Sequence, residues 1–329
     1  MKKGLFVFIV ILLALLVLWF IFGGRKSNRN VCILRLAHCL NTSHPVHKTL
    51  EYMAERIKEK SNGRLIVQIF PSEQLGTEKE SIEALQLGYL SMTKTSTAPM
   101  ESFVPKIRIF GIPYLFEDSV HFWKVMLGPI GRELLEAGTK KGLKGLCYYD
   151  AGARSFYAKR EIRSPADLKG LKIRVMESVM AMQMIEAMGG SPTPISWGEL
   201  YTSLDQGVVD AAENNPPSFE TSRHFEICKY YILDEHVRIP DMLLISAKVW
   251  QSLSADQQQI LQEAVDESVE YNRQLWKQAE QASLAKVAAG GVTIIRPDKK
   301  PFQQAVQSMW KKYEDTELGA LIQQIKETE

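Results

Sequence analysis

A strand-helix alternation that runs once and then restarts constrains this chain most. Residues 32–37 read as a strand. Residues 47–60 follow as a helix, with Leu50, Met53, Ala54 and Ile57 on one face and Asn62-Gly63 ending it. Leu65, Val67 and Ile69 alternate as a strand stopped by Pro71. Thr77 and Glu80 have the spacing of a capping box, Ile82, Leu85 and Leu87 follow in the helix, and Gly88 closes it. Residues 89–94 supply the next strand. This βαβαβ run argues for a parallel sheet with crossover helices. The pattern restarts after a strand at 146–149. Ser164 caps a short helix with Pro165 in its first turn and Gly170 closing it. Leu171, Ile173 and Val175 share one strand face, and Lys172 and Arg174 the other. A Met-rich helix over 179–188, a helix over 197–206 and a strand over 208–212 complete the second unit. Two such units in 329 residues predict an α/β protein of two similar lobes.

From Ser254 to Ala289 there is neither glycine nor proline. The segment reads as one helix, longer than helices usually run. Its apolar positions do not keep strict heptads, so a backbone helix lying across both lobes fits better than a coiled coil. A strand at 292–295 and a final helix at 300–326 follow.

The N-terminus addresses the compartment. Lys2 and Lys3 precede an unbroken apolar run over 4–22, which is export-signal chemistry of near membrane-spanning length. No Ala-x-Ala site follows, and Cys32 lacks the small residues of a lipoprotein signal. Arg25, Lys26 and Arg29 lie on the far side, which blurs the orientation. Residues 1–30 are therefore expected to be a signal peptide or membrane anchor, and the rest a periplasmic body. No second long apolar run exists, so the chain is not itself a transporter. Lys+Arg 40 against Asp+Glu 38 leaves +2, too balanced for a nucleic-acid partner. Four scattered cysteines form neither a zinc pattern nor a disulfide scaffold.

No GxGxxG after a strand, GxxxxGK[ST], HExxH or GxSxG occurs, so no catalytic residue and no cofactor is expected. His38, Cys39, His44 and His47 are close in sequence but match no zinc spacing, and no metal is expected. Asn41-Thr42-Ser43 has the form of a glycosylation sequon, a triplet common by chance. What remains is binding. Ligands of open α/β sheets sit beyond the carboxyl ends of strands. Arg174 lies near the end of one strand, Arg154 follows another through the turn Asp150-Ala151-Gly152-Ala153, Asn214 follows a third, and Glu78 opens a helix after a fourth. Two arginines aimed at one cleft favour an anion, since a guanidinium fits a carboxylate in a two-bond fork. Taken singly, each arginine reads more simply as a surface ion pair, and Trp197 as core.

Several motifs in order carry a resemblance: Phe70-Pro71-Ser72-Glu73-Gln74-Leu75-Gly76, Tyr149-Asp150-Ala151-Gly152-Ala153-Arg154-Ser155-Phe156-Tyr157, Ser164-Pro165-Ala166-Asp167-Leu168-Lys169-Gly170-Leu171-Lys172-Ile173-Arg174-Val175, and Ala212-Glu213-Asn214-Asn215-Pro216. From about residue 32 onward the chain resembles the extracytoplasmic solute-binding proteins of tripartite ATP-independent periplasmic (TRAP) transporters, the family of the C4-dicarboxylate receptor. The resemblance implies a two-lobed periplasmic-binding-protein-like clamp with a long helix spanning both lobes. It implies lobe I over 31–150 plus about 239–279, and lobe II over 151–238 plus about 280–329. The family's carboxylate-binding arginine falls at Arg174 and its second arginine at Arg154. Its asparagine falls at Asn214, its cleft aromatic at Trp197 and an acidic residue at Glu78. It also implies delivery to a membrane permease.

With Thr221-Ser222-Arg223-His224 and Glu235-His236, the motifs are similar to the branch associated with hexuronates such as glucuronate and galacturonate. The chain departs from that branch at His38-Cys39 and Thr95-Ser96, which puts the hydroxyl pattern in question. Glu235 and His44 are further candidate contacts. The rival expectations are another organic acid of the same family (a C4-dicarboxylate, sialic acid or a keto sugar acid), a membrane-anchored sensory module, and an enzyme using Glu78 as acid or base.

Overall fold

The computed structural model describes residues 31–328; the expected signal peptide or anchor at 1–30 lies outside the described residues. Residues Ile33–Glu329 make up one compact unit built on two sheets. The first holds β1 (Cys32–Ala37), β2 (Leu65–Phe70), β3 (Met92–Ser96), β4 (Leu143–Tyr149) and, from far along the chain, β10 (Asp241–Ser246), in the order β2-β1-β3-β10-β4. The second holds β5 (Arg154–Ala158), β6 (Lys172–Val175), β7 (Ser191–Pro194), β8 (Ala211–Asn214), β9 (Tyr230–Val237) and β11 (Thr293–Ile295), in the order β11-β9-β5-β8-β6-β7.

Neither sheet is purely parallel, as the βαβ reading expects. β1 pairs with β3, and β6 with β7 and β8, in parallel. β10 runs antiparallel to β3 and β4, however, and β5 antiparallel to β8 and β9. The physical reason is that the chain passes directly from sheet to sheet at two places, before the long helix carries it back to the second sheet at β11. β4 leads into β5 through 150–153, and β9 returns into β10 through 238–240. The registers Asp241–Tyr149 and Arg154–Val237 place the two crossings side by side. At the first crossing Gly152 has φ +59°, and a Cβ there would lie 2.9 Å from both Trp276 Nε1 and Glu280 Oε1 of the long helix, so the position needs glycine.

The long helix runs Ala255–Ala289 from a capping box at Ser254 and Gln257. It touches both sheets' layers. Near its middle, Ser268 Oγ lies 2.7 Å from Tyr149 Oη, and Asn272 Oδ1 accepts from Asp150 N–H at 2.6 Å. Near its end, Val287 joins the core with Tyr157, Phe219 and Tyr231 of the second sheet's layer, and Lys286 pairs with Glu220.

Two strands start later than their apolar residues suggest, for one reason. After Gly88 (φ +84°), Tyr89 and Leu90 N–H groups bond back to Ala84 O, so the strand begins at Met92. After Gly207 (φ +73°), Val208 and Val209 N–H groups bond back to Ser203 O, so β8 begins at Ala211 and holds Asn214 as its last residue. Both are helix C-caps that recruit the residues beyond the glycine. The final helix is three pieces, Lys300–Ala305, Gln307–Tyr313 and Glu317–Lys326, the last restarted by Thr316, whose hydroxyl accepts from Gly319 N–H. That last piece packs against the 3₁₀ segment Pro105–Gly111, and Ile325 O lies 2.9 Å from His121 Nε2. Among the described residues no helix is long and apolar enough to cross a membrane.

Candidate functional site

The carboxyl ends of β1, β3, β6 and β8 and the sheet crossings converge on a cavity between the two sheets. Glu78, Arg154, Arg174, Trp197 and Asn214, the five residues singled out in the sequence, all line it. So do Cys39 and Ser96, from the two places where the chain departs from the hexuronate branch, and Lys94 and Asp241, which sequence reasoning missed. Lys94 reads as an ordinary strand residue, and Asp241 reaches the first sheet only because β10 inserts there.

Arg174 is held by its strand, and its Nε donates to Ile195 O at 2.9 Å. Its Cζ sits 5.7 Å from the centre of the Trp197 ring. It is 2% exposed, its Nη1 has no hydrogen-bond partner, and among the described residues no carboxylate lies within ion-pair distance of it. Burial depresses its pKa, the direction expected of a cation without a direct partner. A buried guanidinium left in this state is a site prepared for an anion.

Arg154 is different. Its Nε and Nη2 bind the Glu213 carboxylate, with Nη2–Oε1 at 2.8 Å, and its Nη1 donates to Asn214 Oδ1 at 2.8 Å. Asn214 Oδ1 also accepts from Asn215 N–H at 2.9 Å. With that oxygen occupied twice, the amide nitrogen of Asn214 is its remaining donor. The arginine therefore fixes the asparagine, and Glu213 fixes the arginine.

Behind them His236 Nδ1 lies 2.7 Å from Asp234 Oδ2, and its Nε2 3.6 Å from Glu213 Oε2. Burial opposes charge on His236, but the two carboxylates outweigh it and raise its pKa to about 9. Burial opposes charge on Glu213 as well, but Arg154 and His236 outweigh it and lower its pKa to about 2. A histidine raised above its ordinary value of 6.5 gives stability that is complete below 6.5 and lost as pH rises through about 9. A carboxylate lowered from 4.5 gives stability present above 4.5 and lost as pH falls through about 2. Melting temperature is therefore expected to fall between pH 6.5 and 9, and to fall less in His236→Gln. Equal falls in the two proteins would place the pH dependence elsewhere.

On the first-sheet side Glu78 opens the helix Glu78–Leu87, and its Oε1 accepts from Ser96 N–H at 2.8 Å. His44 lines the cavity; its Nδ1 accepts from Val46 N–H, and its Nε2 lies 3.1 Å from Ser218 Oγ, so the ring bridges the two sides. Glu235 lies at the surface, paired with Lys299, outside this cavity. His38 Nε2 and His47 Nδ1 lie 3.0 Å apart as a hydrogen-bonded pair, and among the described residues no group of side chains is arranged to hold a metal. Asn41 of the sequon donates to Thr221 O at 2.8 Å, a second bridge across the cleft.

Two sheets closed around a cavity with a bare arginine define a solute-binding clamp. The chain belongs to the bacterial extracellular solute-binding proteins, family 7, whose model matches residues 36–316. This is the family the sequence motifs resemble. The chain is 41% identical over 281 residues to the uncharacterized protein YiiZ of Salmonella typhimurium, covering 84% of this chain and 86% of that one. It is similar to the solved TRAP periplasmic solute binding protein of Xanthobacter autotrophicus PY2 with bound β-D-galacturonate, at 39% identity and TM-score 0.86, covering 89% of this chain and 99% of that one. The Chromohalobacter salexigens TRAP periplasmic solute binding protein with bound D-glucuronate matches at 34% identity and TM-score 0.87, over 90% and 100% of the two chains.

Proposed function

We propose that the chain is an extracytoplasmic receptor that binds a hexuronate such as glucuronate or galacturonate and delivers it to a TRAP permease. The observation that carries this reading is Arg174, a buried guanidinium in the cavity with no ion-paired carboxylate among the described residues. The bound galacturonate and glucuronate of the related receptors support it. The ligand carboxylate takes the open face of Arg174, and the amide nitrogen of Asn214 donates to the same end. Arg154 acts through Asn214 as a positioning residue. Glu78 accepts from sugar hydroxyls, and Trp197 packs on the ring. Closure is a hinge motion of the two lobes, 31–150 with about 239–279 and 151–238 with about 280–329, about the paired crossings. Residues 1–30 direct the chain to the membrane, as cleaved signal or retained anchor, and the body works in the periplasm.

The test is thermal melting of the purified chain against glucuronate, galacturonate, malate, sialic acid and the matching neutral sugars. A ligand at about 100 times its dissociation constant adds roughly 2.7 kcal/mol. For a chain of this size that is on the order of 5–10 °C. A shift with a uronate and none with its neutral sugar is the expected result. A shift confined to malate or sialic acid would sink the hexuronate reading and leave the arginine clamp standing.

A further inference from the structure

The carboxylate end of the cavity leaves its opposite wall unexplained. Lys94 of β3 and Asp241 of β10 lie on one face of the first sheet, because Lys94 pairs with Leu243 and Ser96 with Asp241 across the antiparallel ladder. Lys94 is 2% exposed and Asp241 6%. Lys94 Nζ lies 3.1 Å from Asp241 Oδ2 and 3.8 Å from Glu78 Oε1. A buried ion pair adds little net stability over well-packed apolar residues, so stability alone is a weak reason for this one. The wall holds two carboxylates for one ammonium. Across the cavity, among the described residues, no carboxylate lies within ion-pair distance of Arg174. The cavity is thus polarised: one end wants an anion, and the other offers one donor group and two acceptors to uncharged hydroxyls.

We propose that Lys94 and Asp241 are specificity-determining residues of the solute site. Lys94 donates to, and Asp241 accepts from, the hydroxyls at the end of the ligand remote from Arg174, and Asp241 with Glu78 rejects acids that carry a second carboxylate there. This rests on the hexuronate reading and extends it to the selection of monocarboxylate over dicarboxylate sugar acids.

The test is calorimetric titration of three folded proteins: wild type, Asp241→Asn, and Asp241→Asn with Glu78→Gln. The ligands are glucuronate, galacturonate, and the two corresponding aldaric acids, which carry carboxylates at both ends. Wild type is expected to bind a uronate and to bind both aldarates far more weakly. Asp241→Asn weakens the uronate roughly 10- to 100-fold, the size of a lost charged hydrogen bond. The double variant leaves Lys94 with no counter-charge and is expected to bind an aldarate at least about tenfold more tightly than wild type does. Wild-type uronate affinity in Asp241→Asn overturns the proposal. So does a folded double variant with no gain for either aldarate, or a wild type that binds aldarates as well as uronates. Should the double variant fail to melt cooperatively, the Asp241→Asn titration decides alone. Should wild type bind malate or sialic acid and no uronate, the hexuronate reading fails instead, and Asp241→Asn titrated with that acid decides the role of the wall.

Discussion

Arg174→Ala is expected to lower hexuronate affinity by roughly 30- to several-thousand-fold, because truncating one member of a buried charge pair costs about 2–5 kcal/mol at about 1.4 kcal/mol per tenfold. The same substitution is expected to move the melting temperature of the ligand-free protein little. Among the described residues Arg174 has no ion-paired carboxylate to lose and one hydrogen bond, that to Ile195 O. Removing a buried, unpaired cation relieves a desolvation penalty that offsets the lost packing. Titration calorimetry and melting of the free protein, done together, check both halves. Wild-type affinity in the variant would move the carboxylate site elsewhere. A large loss of free-protein stability would mean that the arginine is structural and the binding effect indirect.

Glu213→Gln is expected to do the reverse. Glu213 is 1% exposed and is the shared anion of Arg154 and His236. Taking its charge away leaves two buried cations without the carboxylate they share. Breaking a buried pair from one side costs about 3–5 kcal/mol. For a chain of this length that is on the order of 5–15 °C in melting temperature. Binding should weaken too, because Arg154 then loses the partner that aims its Nη1 at Asn214. Differential scanning calorimetry at pH 6 gives the stability change directly. A melting temperature within a degree of wild type would show that the cluster does not hold its charges as its distances imply.

The site was legible to an uneven degree. Arg174 could be found because a strand of alternating residues puts its side chain on the face opposite Leu171, Ile173 and Val175. Glu78 could be found because it opens a helix after a strand, and Trp197 only through the family resemblance. Arg154 could be placed at the turn after a strand, and the resemblance made it a second ligand arginine. Only the fold brings Glu213 and Asn214 of β8 against it. Lys94 and Asp241 were invisible for a related reason. They are 147 residues apart in the chain (241 − 94), and nothing local in β3 announces that its neighbour is a strand returning from the other sheet.

Local residue pattern alone located the elements of the first βαβαβ run, the long helix and several caps, whereas the strands Tyr230–Val237 and Asp241–Ser246 and the helices Ser119–Leu127 and Pro129–Glu136 emerged only in the structure. Periodicity and capping are short-range physics, complete within a few residues: Thr77 and Glu80, Ser164 and Asp167, and Ser254 and Gln257 all form the reciprocal caps their spacing implies. The motif order also determined the family. Tertiary structure decided where the strands begin, that each sheet is mixed, and which charges are compensated. Charge compensation could not be local. A buried ion's partners are chosen by whichever strands become neighbours, and in this fold those neighbours are set by the crossings between sheets. Arg154 is therefore held by Glu213, while Arg174 is left open to the solute.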